Sequence, residues 1–245
     1  MVLVFSLCQC VASHCRMRLK GRPTDRERAY WLHRCCTMVC RRLGLSLRVC
    51  GQPPQQGLLV SNHLSYLDIL LYGATLPCVF VSKAEVRSWP MLGLLASLGG
   101  TVFVDRSSAV SAALANKRIE ELLTAGVLVL IFPEGTSSDG SAVLRFHPSL
   151  FEPAVQGSVP ATAAAIAYSG EPDALEKDLG YYGDISFGPH LLKTLELSLV
   201  SATIRFQAPP RIYADRKQAA RETREEVIKL RGQGAGESAG KNRES

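Results

Sequence analysis

The sequence has little that would make it a membrane span, a secreted product or a metal protein. Its opening apolar stretch, Val2 to Ala12, is eleven residues long, short of the roughly 20 that a spanning helix needs. The basic residues Arg16, Arg18, Lys20 and Arg22 follow that stretch instead of preceding it, and no small-x-small cleavage site stands out, so a secretory signal is not expected. Seven of the eight cysteines lie in the first 50 residues, yet none forms a C-x-x-C pair. Cys8-x-Cys10 and Cys36-x-x-x-Cys40 fit poorly the two C-x-x-C pairs, or Cys/His equivalent, of a zinc site, and a disulfide framework would spread its bridges through the fold. No metal and no resident cofactor is therefore expected, and the cysteines read as small apolar residues in a reducing compartment. Internal repeats are lacking, and biased composition is confined to the Gly-rich end, residues 231–245, expected to be a disordered tail.

What remains is a globular composition, 47% hydrophobic and 20% charged over 245 residues, enough to bury one large core. The charge is unevenly placed. Residues 1–50 carry ten Lys/Arg against the two acids Asp25 and Glu27, and the other residues carry 18 against 20. Such an asymmetry asks for an anionic partner at the front of the chain.

Thr24 or Asp25 can cap a helix running to about Leu43, with Gly44 ending it. Tyr30, Trp31, Leu32, Cys35, Met38 and Val39 give it an apolar side; Arg26, Arg28, Arg34, Arg41 and Arg42 give it cations. Residues 1–50 thus read as a membrane-associating helical segment on the cytoplasmic face, with Tyr30 and Trp31 at headgroup level. The alternative is a helix packed on the domain with a solvated basic face. Nucleic acid is disfavoured, because the aromatics are not interleaved with the charges.

Beyond the turn-rich Gly51–Gly57 the pattern alternates. Strand-like runs at 58–60, 79–81, 101–104, 127–132, 163–167 and 199–206 are separated by helical candidates at 66–76, 90–98, 109–124 and 216–230. This predicts a single α/β domain over 51–230, with a largely parallel central sheet flanked by helices.

Ligands gather at the carboxyl ends of such strands, and three runs end there in polar clusters. The first contains His63 and Asp68, the second Asp105-Arg106, the third Glu134-Gly135-Thr136-Ser137-Ser138. An imidazole beside a carboxylate has the make-up of a general base, since the carboxylate fixes the tautomer. Five residues apart is about 140° around a regular helix, so the pair meets only if His63 sits in the turn and Asp68 in the first helical turn, with Ser65 as N-cap. Ser65-x-x-Asp68 as a mere capping box is the competing reading. Arg106 offers a fixed cation, Gly135 a close backbone approach, and Thr136 and Ser137 hydroxyls.

Asn62-His63-x4-Asp68, Gly100-x-x-Phe103-Val104-Asp105-Arg106, Phe132-Pro133-Glu134-Gly135-Thr136 and Val159-Pro160, in this order, resemble the four blocks of the glycerolipid acyltransferase family. Its best-known members are 1-acylglycerol-3-phosphate acyltransferases. The resemblance, over about residues 30–215, implies transfer of a fatty acyl chain from acyl-CoA or acyl carrier protein to a lysophospholipid hydroxyl. It implies His63 as general base, Asp68 as its orienting partner, Arg106, Glu134 and Gly135 as contacts to the acceptor's head group and glycerol, and Pro160 as shaping the site.

One position departs. Many phosphatidic-acid-forming members have Arg where this chain has Ser137, and a phosphomonoester is best met by two cations. The run from Glu134 to Gly140, with Leu144-x-Phe146 and Tyr181-Tyr182-Gly183-Asp184, is similar to a bacterial branch that includes lyso-ornithine lipid acyltransferases, whose acceptors carry an amino acid head group. Arg145 or Arg106 remains available to phosphate. Two further readings are a catalytically silent peripheral lipid-binding protein and a thioester hydrolase.

Overall fold

The computed structural model describes residues 2–105, 107–170, 179–183, 185–196 and 200–241. Arg106 and Asp184 lie outside the described residues. Seven strands form one sheet: β1 (Ser46–Cys50), β2 (Gly57–Ser61), β3 (Val79–Lys83), β4 (Val102–Val104), β5 (Leu128–Ile131), β6 (Ala161–Gly170) and β7 (Val200–Phe206), in the order β1-β7-β6-β2-β5-β3-β4. All neighbours are parallel except β6 and β7. The domain is thus α/β, as expected. The pattern had missed β1, a short strand with a single neighbour and little burial. The helical front therefore ends before residue 46.

Period-two alternation sorts the central strands between two cores. Leu59, Leu128, Leu130 and Phe80 join a layer with Trp31, Leu32 and Leu71. Leu58, Val60, Val129 and Ile131 face the opposite layer, with Ile119, Leu122 and Val227. Covered on both sides, β2 and β5 read as unbroken apolar runs.

The helices are α1 (Val2–Leu19), α2 (Asp25–Arg42), α3 (Leu67–Thr75), α4 (Leu92–Gly99), α5 (Ala109–Thr124), α6 (Glu152–Gln156), α7 (Phe187–Glu196) and α8 (Arg216–Lys241). The last runs through residues expected to form a tail from 231, continuing from a half anchored by Val227 and Leu230 with no proline to stop it.

The front of the chain is where expectation and structure differ most. A capping box from Thr24 and Glu27 starts α2, but the helix is part of the core. Trp31 is buried, its indole N–H donating to the Cys10 carbonyl (3.2 Å) and Ser13 Oγ (2.8 Å), so it is not at headgroup level. Close passage of α2 requires small partners: a Cβ on Gly73 would meet Cys36 Sγ at 2.6 Å, and one on Gly99 would meet Leu32 at 2.7 Å. Arg28 donates to the Leu98 and Ser97 carbonyls at the end of α4. Arg26, Arg34, Arg41 and Arg42 stay exposed. The packed helix with a solvated basic face is what forms. At the front of the chain Tyr30 of α2 stays 54% exposed, unlike Trp31, and on α1 Val4 and Phe5 are each 60% exposed. Among the described residues no helix is long and apolar enough to cross a membrane.

Candidate active site

Three loops leaving the carboxyl edge of the sheet converge. Beyond β2, the Asn62 side chain continues the ladder by bonding both ways to Ile166 of β6: its amide donates to the carbonyl (3.1 Å) and its oxygen accepts from the N–H (2.9 Å). That pins the chain one residue before His63. The imidazole stacks on Phe132, the residue beyond β5 (ring centroids 4.2 Å, 15° between planes), and its Nδ1 lies 2.6 Å from Asp68 Oδ2.

Asp68 is fully buried, and its carboxylate is held by several donors. Oδ2 also accepts from the Leu64 N–H (2.7 Å) and the Ser65 N–H (3.1 Å), while Oδ1 accepts from the Tyr168 hydroxyl. A buried carboxylate is tolerated when donors surround it. The expected capping by Ser65 does not occur. Tyr66 is the N-cap residue of α3 and gives no side-chain bond, and Ser65 Oγ has no partner among the described residues. The bond runs the other way, from Asp68 back onto the loop's own amides. His63 Nδ1 is thereby occupied, leaving Nε2 as the nitrogen available to the cavity that His63 lines.

Glu134 joins the loops and is not among the residues that line the cavity. One carboxylate oxygen accepts the His63 backbone N–H (2.8 Å), the other the Leu144 N–H (2.8 Å), and the residue is 4% exposed. Burial pushes its carboxyl above the usual range, partly offset by those two amide donors. The far side of this brace is itself fixed: Arg224 of α8 donates to the Val143 and Leu144 carbonyls, and Arg231 to that of Gly140. Gly135 turns the chain in the left-handed region (φ 75°), delivering Thr136 and Ser137 to the cavity. Ser137 Oγ donates to the Tyr181 carbonyl, and the Ser138 N–H donates to the His63 carbonyl (3.0 Å).

Two expected contacts are not here. Pro160 precedes β6, and its carbonyl accepts from the Leu58 N–H at the start of β2. His63 follows the end of that strand, about 16 Å of extended chain away from Leu58 at some 3.3 Å per residue. Pro160 thus shapes the amino edge of the sheet, where its carbonyl would lie 2.5 Å from a Cβ on Gly57, and not the site. Arg145 is exposed and does not line the cavity.

The cavity itself measures about 260 Å³. Apolar side chains from α2, α3 and α4, with Phe80, Val86 and Trp89, make its depth; His63, Ser82, Lys83, Thr136 and Ser137 make its polar end. Lys83 and Tyr168 are the residues that reading the sequence missed. For Lys83 a signal existed, since Val79-Phe80-Val81 also ends in polar residues at the carboxyl edge. Tyr168 gave none, lying inside a run that reads only as buried strand.

Comparison with known proteins points to one family. The acyltransferase family pattern matches residues 49–167. The chain is 39% identical to the lyso-ornithine lipid O-acyltransferase of Pseudomonas aeruginosa, over 86% of this chain and 82% of that protein. It is 34% identical to the 1-acyl-sn-glycerol-3-phosphate acyltransferase of Neisseria gonorrhoeae, over 62% of this chain and 60% of that one. The fold is similar to the crystal structure of the 1-acyl-sn-glycerophosphate acyltransferase PlsC of Thermotoga maritima, with a TM-score of 0.64 at 20% identity, covering 94% and 93% of the two chains. By sequence, and with a fold to match, this chain belongs to the acyltransferase family.

Proposed function

We propose that the protein O-acylates a lysolipid at the cytoplasmic face of a membrane, taking the acyl chain from acyl-CoA or acyl carrier protein, with lyso-ornithine lipid as the preferred acceptor. The observation that carries this reading is the His63–Asp68 pair at the polar end of an apolar cavity. His63 Nε2 takes the proton of the acceptor hydroxyl as that oxygen attacks the thioester carbon. Asp68, across the ring, stabilises the imidazolium that forms. When the tetrahedral adduct collapses, the C–S bond breaks and the leaving sulfur takes the proton back from Nε2. The substrate's own alcohol stands where a hydrolase has its serine, so no acyl-enzyme is needed.

Glu134 enters as a positioning residue, because both its oxygens are engaged with backbone amides. Ser137 and Lys83 support the choice of acceptor. The Ser137 hydroxyl is turned to the Tyr181 carbonyl, and Lys83 is the one Lys or Arg among the described lining residues. Ser137 stands where many phosphatidic-acid-forming members have Arg, so one of the two cations that best meet a phosphomonoester is replaced by a hydroxyl, while the single carboxylate of an ornithine head group asks for one. The relatives that cover most of this chain carry the same name.

The test is a panel: purified protein, labelled acyl donor, and lyso-ornithine lipid, 1-acylglycerol-3-phosphate or no acceptor. Labelled ornithine lipid as the main product is expected. Labelled phosphatidic acid alone would overturn the acceptor. Free fatty acid alone would make the protein a thioester hydrolase, and vesicle binding without turnover would make it a lipid-binding protein.

A further inference from the structure

A second cavity, of about 320 Å³, lies between α1, the end of α2 and α4. Leu3 and Leu7 of α1 form one side and Val39, Leu43 and Leu45 another. Tyr66, Leu70, Leu92 and Leu95 line this cavity and the one at His63 alike, so those four side chains are a common wall. At the opposite end are Val2, half exposed, and Arg42, whose guanidinium sits 5.2 Å over the Phe5 ring and donates to Ser6 Oγ and Gln9 Oε1.

Resting on the lysolipid reading above, we propose that this second cavity holds the hydrocarbon chain already present on the acceptor. The reaction brings together two long chains and one imidazole, and a cavity serving the donor's acyl chain leaves the acceptor's chain without apolar cover. The molecule has two adjoining apolar cavities on the same face of the sheet. A water-borne thioester delivers its chain to the cavity at His63. A lipid arriving from a bilayer approaches past the exposed Val4 and Phe5 of α1, and the cavity lined by α1 is the second one. Its hydroxyl end then lies toward Tyr66 and His63, its tail toward the membrane. The Arg42 cation at the outer end complements anionic headgroups there.

Two variants on different walls, Leu7→Trp and Leu45→Trp, each narrow the cavity, with thermal melting used to confirm folding. The KM for a hexadecanoyl lysolipid below its micelle threshold is expected to rise about tenfold, equivalent to roughly two methylenes losing apolar cover. The KM for the donor, and that for a butanoyl lysolipid, should stay within about twofold by the same arithmetic. In parallel, wild-type protein is photolabelled with a lysolipid bearing a diazirine near its chain end. Labelling within residues 2–7 or 39–45 supports the site, even if turnover fails, in which case it is the reaction that is refuted. Labelling confined to β3 and Trp89, an equal KM change for both acceptors, or a rise in the donor's KM alone would each overturn the assignment.

Discussion

Around His63, polar groups are engaged several times over. Asp68 accepts from a side chain, two amides and a hydroxyl, Glu134 braces two loops, and α8 arginines hold the outer loop. The front of the molecule is built differently. Helix α1 buries Ser6, Cys10 and His14 on one stripe, leaves Val4 and Phe5 in the open, and borders a cavity with almost wholly apolar walls. Hydrogen bonds fix angles to within a narrow range, whereas apolar contact is non-directional. Where a proton must move between two atoms the chain spends directional bonds. At the front, where α1 borders the apolar cavity, it relies on packing.

The sharpest way to break that contrast is to remove the group the directional bonds serve. His63→Ala is expected to lower kcat by about 10³-fold, within the range of a lost general base, with vesicle binding untouched. Turnover equal to wild type would mean another group takes the proton. Glu134→Gln tests whether the brace matters without touching substrate. An amide can accept only one of the two backbone N–H groups, so the His63 loop moves, and displacement of about 1 Å costs roughly 10²-fold in rate. Its pH behaviour gives a second readout. Burial raises the Glu134 carboxyl above its ordinary value, so the folded state holds a proton that the unfolded state has released. The stabilisation is complete below the ordinary carboxylate range and is lost as pH rises through the raised value. Thermal melting of wild type should fall across that acidic window while the Gln variant stays flatter. Parallel curves would refute burial as the dominant influence.

The opposite test leaves the chemistry alone. Val4→Ser with Phe5→Ser removes two exposed apolar side chains near the start of α1 that do not line the cavity. Partitioning onto anionic vesicles should weaken by about 2 kcal/mol, roughly 30-fold, with kcat on a monodisperse short-chain acceptor preserved. Unchanged co-sedimentation would locate membrane affinity elsewhere. Deleting residues 1–44 would not answer the question, since Trp31, Leu32 and Cys36 belong to the core.

These contrasts also explain what could be read from the sequence. His63 and Glu134 were recognisable because buried apolar runs that end in polar clusters mark the carboxyl edge of a sheet. The meeting of His63 with Asp68 was legible as well, but not the reason for it, since a residue pattern does not tell whether a side chain caps a helix or is itself capped by the loop. Pro160 was misplaced because its motif comes in the right order along the chain, and order is silent about which end of a strand faces the ligand. Trp31 looked lipid-facing for a comparable reason. An amphipathic stripe demands an apolar neighbour, and α1, α3 and α4 satisfy that demand as well as a bilayer would.

The smallest expected effect bears on the residue that no pattern announced. Tyr168 donates its hydroxyl to Asp68 Oδ1 from near the carboxyl end of β6, a hundred residues away in sequence. Tyr168→Phe keeps the ring, so packing in the core is largely conserved. What is lost is one donor to a carboxylate that retains three others. A single hydrogen bond to a charged group contributes about 1.5 kcal/mol at the low end, and with three donors remaining that end is expected, roughly tenfold on kcat. The loss should appear in kcat with both KM values unmoved, because Tyr168 touches Asp68 and does not line the cavity. The low-field proton signal of the His63 Nδ1–H should shift at the same time, as its acceptor oxygen shares a carboxylate with the one that lost its partner. If kcat falls while that signal stays in place, Tyr168 is acting through strand packing; if KM rises instead, the hydroxyl is reaching the substrate and the cavity extends further than its described lining.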